Sequence, residues 1–136
     1  MLNEVQIEGI VARESWSYDR DLFFRIASYR DAGLPAKPDV VPGREEPDYV
    51  NIRYPGGASS LVAPQKGMRL RVHGYLQSRD FKESLADFLD KARKVSGELP
   101  AIENPEKVLA DRNIVEIVAT RVVVLGDGSA NPKKSR

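Results

Sequence analysis

At 136 residues, with 41% hydrophobic and 30% charged side chains, the chain has the size and balance of one soluble domain with a real core, and too little length for two. A net charge of +1 excludes a globally basic protein, so any affinity for a polyanion has to come from charge gathered on one face. Without cysteine and with a single histidine, His73, the chain excludes disulfides, thiolate metal sites, thiol catalysis and a multi-histidine metal centre.

Residues 2–12 alternate Val5, Ile7, Gly9 and Val11 against Glu4, Gln6 and Glu8, which predicts a first strand, with Gly9 marking a bulge or sharp bend. Residues 13–21 read as a polar turn holding Trp16 and Tyr18. Trp16 is either a base-stacking platform among arginines or a lid folded onto the core, at even weight. Residues 22–30 form a second strand, with Phe24 and Ile26 inward and Arg25 and Tyr29 outward. Residues 31–47, with four prolines, are a long functional or partly disordered loop.

Residues 48–54 are a third strand, Val50 and Ile52 on one face and Tyr49, Asn51 and Arg53 on the other. Residues 58–63 form a turn of helix. Residues 68–79 alternate most strictly: Met68, Leu70, Val72, Gly74 and Leu76 against Arg69, Arg71, His73, Tyr75, Gln77 and Arg79. Residues 80–95 change to helical spacing through Leu85, Phe88, Leu89, Ala92 and Val95, an amphipathic helix stopped by Gly97. Its stripe is expected to pack on the barrel or a second subunit. Its two-signed polar face argues against a membrane. A linker over 98–105 and a short helical turn over 106–110 precede a fifth, apolar strand at 113–125, and 126–136 is a basic, disordered tail.

These elements predict an all-β protein with one added helix, a five-stranded Greek-key barrel of the oligonucleotide-binding type. The domain is expected over 1–125, with a helical insertion at 80–111. No apolar run approaches 18 residues and no signal-peptide pattern opens the chain, so a cytoplasmic protein without membrane contact is expected.

Catalysis needs a nucleophile with a base, paired carboxylates or a metal. His73 lies mid-strand with no nucleophile motif, the acidic residues scatter as solvated charges, and Gly56-Gly57 lacks a phosphate-loop pattern. The chain is therefore read as a non-enzyme without cofactors. Binding chemistry remains. Arg25, Arg53, Arg69, Arg71 and Arg79 share outward parity with Tyr29, Tyr49 and Tyr75, giving guanidinium groups for phosphates and rings for bases.

The order of several short motifs resembles the bacterial-type single-stranded DNA-binding protein family over nearly the whole chain. Met1-Leu2-Asn3-Glu4-Val5 with Gly9 and Arg13 is similar to that family's opening strand. Phe24-Arg25-Ile26-Ala27, followed by Tyr29-Arg30-Asp31, is similar to its second. Lys66-Gly67 through Val72, Gly74 and Leu76-Gln77-Ser78-Arg79 resembles its fourth, and Val115-Glu116-Ile117-Val118-Ala119 to Leu125 its last. The resemblance implies sequence-tolerant binding of single-stranded DNA in replication, recombination or repair, by a homotetramer or homodimer. It places stacking aromatics at Tyr29, Tyr49 and Phe81, and one more at Tyr54 or Pro55, depending on a one-residue shift.

Taken together, the expected nucleic-acid contacts are Trp16, Arg25, Tyr29, Arg30, Tyr49, Arg53, Tyr54, Arg69, Arg71, Arg79, Phe81 and Lys82. The chain departs from the family at 80–111, where a shorter hairpin is usual, at the reduced helix 58–63, and at its end. Lys133, Lys134 and Arg136 stand where the family has a long tail with an acidic end, so the resemblance does not by itself imply recruitment of repair and replication partners through such a tail. The alternative is a primosome-like interaction module of the same fold, docking a protein through the helix at 82–95.

Overall fold

A computed structural model describes residues 1–38, 46–60 and 63–127. The chain divides into two compact units, one formed by Met1–Gln77 with Glu116–Arg136 and the other by Ser78–Val115. The middle of the 31–47 loop, the end of the 58–63 turn and the tail from 128 onward lie outside the described residues.

The first unit is a closed β-barrel. Its strands are β1 (Val5–Val11), β2 (Trp16–Tyr18), β3 (Asp21–Ser28) and β4 (Asp48–Tyr54), with the barrel portions of β5 (Arg69–Ser84) and β6 (Leu109–Gly126). Neighbours run β1-β5-β6-β4-β3-β2, and a further pairing of β1 with β3 closes the ring. β4 and β6 are parallel, Ile52 opposite Ile117, while the pairs β1–β3, β1–β5, β2–β3 and β3–β4 are antiparallel. The sheet has six strands; with the short β2 set aside as an addition to the edge of β3, β1, β3 and β4 in succession, β5 beside β1 and β6 parallel to β4 make the expected five-stranded Greek-key barrel.

Period-two alternation explains the core. Val11, Leu22, Phe24, Ile26, Ile52, Met68, Leu70, Val72, Ile117 and Ala119 point inward and are buried together, drawing on β1, β3, β4, β5 and β6. Fully burying one such side chain contributes about 1.5–3 kcal/mol, so the cluster accounts for the barrel's closure. Two glycines mark where strands come too close for a side chain. A Cβ on Gly9 would lie 2.6 Å from the Ala27 carbonyl oxygen, where β1 bends onto β3 to close the ring, as its place mid-strand suggested. A Cβ on Gly74 would lie 2.0 Å from the Val118 carbonyl oxygen on β6.

One barrel element differs from expectation. Residues 16–18 are not turn but strand, pairing Trp16 with Phe23, Ser17 with Leu22 and Tyr18 with Asp21. The reversal is confined to Asp19 and Arg20, whose φ values of 49° and 70° are what a two-residue hairpin loop of the tightest kind requires.

The second unit differs more. β5 continues to Ser84, so residues 80–83 are strand and the helix α1 covers Leu85–Ser96. The strand is held by cross-strand partners: Asp80 accepts from Asn113 Nδ2 at 2.8 Å, and Lys82 reaches Asp111 at 2.6 Å. The Leu85 N–H donates to the Val108 carbonyl at 2.7 Å. Ser84 then caps the helix, accepting from the Asp87 N–H at 3.1 Å, a Ser-x-x-Asp start signal that the helical spacing of Phe81 and Leu85 masks. At the other end Gly97, at φ 75°, stops the helix as expected. The expected turn at 106–110 is a single 3-10 turn, Pro105–Lys107, before β6 begins at Leu109. The stretch 80–111 is thus strand, helix and strand, not a wholly helical insertion. Of the helix stripe only Leu89 is buried; Phe88 and Val95 are exposed.

Among the described residues, no helix is long and apolar enough to cross a membrane, and no group of three or more His, Asp or Glu side chains is placed to hold a metal ion.

Candidate nucleic-acid interface

The outer face of β2, β3 and β4 carries an aromatic–arginine ladder set by strand register. Phe23 on β3 faces Trp16 on one side and Arg53 on the other, because β3 lies between β2 and β4 and pairs with both at that residue. The Trp16 and Phe23 rings stack, their centroids 5.6 Å apart and their planes 12° from parallel. The Arg53 guanidinium lies over Phe23 at 5.6 Å and Arg13 over Trp16 at 5.1 Å. Four side chains from the β1–β2 connection, β2, β3 and β4 therefore form one row, two stacked rings with a guanidinium at each end.

Asp21 fixes one end of the row. Its Oδ2 accepts from Arg53 Nε at 2.9 Å and pairs with Nη2 at 2.8 Å, while Oδ1 accepts from the Gly56 N–H at 3.1 Å. The Arg53 hydrogen bond, seconded by the Gly56 N–H, holds the Asp21 carboxyl below the ordinary aspartate range. At the other end Ser15 Oγ donates to the carbonyl of the buried Pro64 at 2.8 Å, anchoring the connection that presents Arg13.

Two residues further along β3, Arg25 lies over the Tyr49 ring at 4.6 Å, and Lys37 Nζ sits 6.0 Å from the same ring. Among the described residues, the buried Arg25 Nε has no hydrogen-bond partner. Trp16 and Tyr49 remain 45% and 46% exposed, so both rings are reachable from solvent. Trp16 is thus a surface ring and not a lid on the core.

The other expected contacts separate from this ladder. Tyr29 is exposed just beyond β3, beside a cleft lined by Gln6, Glu8, Ala27, Asp31 and Arg69. Arg30 is committed locally: its Nε and Nη2 reach Asp48 at 2.8 and 3.1 Å, and its Nη1 donates to the Pro35 carbonyl at 3.0 Å. This pairing lowers the Asp48 pKa and raises that of Arg30. Tyr54 is a correction. It shares the parity of Val50 and Ile52, so its ring packs against the core instead of facing outward.

Arg69 and Arg71 also fall elsewhere. β5 lies between β1 and β6 and pairs with neither β3 nor β4, so its outward arginines do not join those of β3 and β4 on one face. Both guanidinium groups turn to Glu8 on β1, Arg71 at 2.7 Å and Arg69 at 3.8 Å. Arg79, Phe81 and Lys82 belong to the second unit. There Phe81 is exposed beside Lys82, Arg112 and Asn113, and Lys82 is paired with Asp111.

Three members of the face escaped the sequence reading as contacts: Phe23, Arg13 and Lys37. Phe23 had a usable signal, since it shares parity with Arg25; Arg13 and Lys37 sit in connections without period.

Solved structures share this fold. The chain aligns with a single-stranded DNA-binding protein (SSB) of Plasmodium falciparum in complex with ssDNA at a TM-score of 0.57 and 16% identity, covering 92% of this chain and 96% of that one. It aligns with Rim1, the mitochondrial single-stranded DNA-binding protein of S. cerevisiae, at 0.55 and 14%, covering 93% and 98%. The fold is the oligonucleotide-binding barrel of these proteins. No family model and no curated protein matches the sequence.

Proposed function

We propose that this chain binds single-stranded DNA without strong sequence preference, on the outer face of β2, β3 and β4, in replication, recombination or repair. The observation that carries the reading is the row Arg13–Trp16–Phe23–Arg53, with Arg25–Tyr49 beside it. Rings accept any base, because every base has a π-face, and stacking on one contributes roughly 1–3 kcal/mol. The flanking guanidinium groups supply phosphate contacts without a globally basic protein. The partner named for the P. falciparum protein of the same fold supports the choice of ssDNA.

Within this reading Trp16, Tyr49 and Arg25 are the principal contacts, Phe23 holds Trp16 upright, Arg53, tied to Asp21, backs Phe23, and Tyr29 extends the surface past the end of β3. Phe81 offers a further ring in the second unit, with Arg79 and Lys82 near it in sequence. Arg30 acts indirectly, by fixing the start of β4 through Asp48. Arg69 and Arg71, already turned to Glu8, contribute less. Self-association is part of the proposal: among the described residues, β1 between Val5 and Gly9 is paired with β5 alone, and meets β3 only at Ile10 and Val11. A strand edge of that kind is where a second copy adds.

Titrating a labelled dT oligomer, followed by anisotropy at low and moderate salt, tests the proposal. Saturable binding that weakens with salt and exceeds binding to duplex is the expected result. No binding at low salt, or a preference for duplex, refutes it. A second reading, a protein-interaction module, is favoured by one observation, the exposure of Phe88 and Val95 on α1. Sequence-tolerant DNA binding that survives Phe88→Ala separates the two.

A further inference from the structure

The two arginines that flank the ring pair are not equivalent. Arg53 is tied to the Asp21 carboxylate by two contacts, at 2.9 and 2.8 Å, so its charge is already matched and its position over Phe23 is fixed. Arg13 is exposed, and among the described residues no carboxylate pairs with it; its recorded contact is the Trp16 ring. β2 is the last strand in the order, so no further strand covers Trp16 on the side away from Phe23. One indole face is taken by Phe23, and the guanidinium of Arg13 lies over the ring that a base would need.

We propose that Arg13 is a displaceable lid on Trp16: an incoming nucleobase takes the place of the guanidinium on the indole face, and the freed Arg13 pairs with a phosphate of the same strand. This rests on reading the β2–β4 face as the single-strand site. The exchange is favourable in direction, because a cation over an exposed ring is held more weakly than a stacked base. A guanidinium with no carboxylate to leave behind moves to a phosphate without unpairing another charge. Phe23 cannot take this role, since Trp16 covers one of its faces and the anchored Arg53 lies over the ring from β4.

A neutral-backbone strand separates the lid from an ordinary phosphate contact. The probes are a dT oligomer and the same oligomer with a methylphosphonate backbone, each titrated by anisotropy against wild type, Arg13→Gln and Arg13→Ala. For the charged strand both variants are expected to lower affinity about 3- to 10-fold and reduce the salt slope by about one contact. For the neutral strand both are expected to raise affinity about 2- to 5-fold, because the base no longer competes with a cation for the ring. Unchanged or reduced affinity for the neutral strand in the variants overturns the lid while leaving the site standing. Failure of wild type to bind either strand overturns both.

Discussion

Trp16 and Phe23 face each other across β2 and β3 with their ring planes 12° from parallel, so the indole is held upright by a phenyl ring whose own position is set by the barrel. Leu22 and Phe24, the neighbours of Phe23, are both core residues, which gives that ring a rigid base. Removing either partner is expected to cost single-strand affinity. Trp16→Ala, Phe23→Ala and Tyr49→Ala should each weaken dT binding about 5- to 100-fold, the range corresponding to roughly 1–3 kcal/mol per stacked base. Circular dichroism spectra should stay unchanged. Anisotropy of a labelled strand measures the effect, and retention of full affinity in all three variants would remove the ladder from the binding surface.

The division of the arginines makes a separate prediction. Arg25 and Arg53 lie on the ladder, whereas Arg71 is turned to Glu8 on β1. Arg25→Gln should lower the salt dependence of dT binding by about one phosphate contact, and Arg53→Gln, whose charge Asp21 already matches, by less. Arg71→Gln should leave the slope unchanged. Equal effects at the three positions would mean that DNA also crosses the β1–β5 face.

Much of the barrel was legible because its core obeys a local rule. Phe24, Ile26, Ile52, Leu70 and Val72 alternate with polar neighbours, and a two-residue period reports facing without knowledge of any partner. The same rule places Tyr54 with Val50 and Ile52, so its inward position was available from parity, yet the aromatic side chain drew a binding role. Adjacency is different. That β5 lies beside β1 and β6, away from β3 and β4, is a property of the ring closure, and no local pattern reports it. The strand at Trp16–Tyr18 was hidden for a related reason: three residues are too few for a period, and the strand exists through its pairing with Phe23, Leu22 and Asp21. At 81–85 two signals conflict, since Phe81 and Leu85 fit a helix while the pairing of Asp80 and Lys82 with Asn113 and Asp111 extends the strand.

Arg20 offers a stabilising substitution. Its φ of 70° places an L side chain in the left-handed region, which costs roughly 1–2 kcal/mol relative to an unstrained position, and Asp-Gly is a preferred pair for this hairpin loop. Arg20→Gly is therefore expected to raise stability by about 1 kcal/mol, seen as a higher urea midpoint with the same slope. The Arg20 carbonyl that accepts from the Ala58 N–H is retained. A lower midpoint would contradict the turn assignment.

Gly74 predicts the opposite sign. Gly74→Ala sets a Cβ against the Val118 carbonyl oxygen, a backbone atom that cannot swing aside, and is expected to destabilise the barrel by about 2–3 kcal/mol. Gly33→Ala, with open space around the added methyl, should have little effect. Thermal melts of the two variants make the comparison.

The carboxylates that anchor the arginines titrate low. Hydrogen bonds from Arg53 to Asp21 and from Arg30 to Asp48 depress both folded-state pKa values. Their stabilising contribution is thus present above the unfolded aspartate value, about 3.9, and lost as pH falls through the folded values. Carboxyl carbon shifts followed by NMR from pH 7 to pH 2 should show Asp21 and Asp48 titrating below the ordinary aspartate value. In Arg53→Gln, Asp21 should titrate higher while Asp48 keeps its depressed value; an unmoved Asp21 would mean that Arg53 does not hold it.

The most direct test of the central claim is to locate the strand on the protein. Ultraviolet cross-linking of a dT oligomer to the wild-type chain, followed by mass spectrometry of the linked peptides, reports which rings touch bases. The account predicts cross-links at Trp16 and Tyr49, with Tyr29 and Phe81 as further positions. Cross-links confined to the β1–β5 face, at His73 or Tyr75, with none at Trp16 or Tyr49, would contradict it.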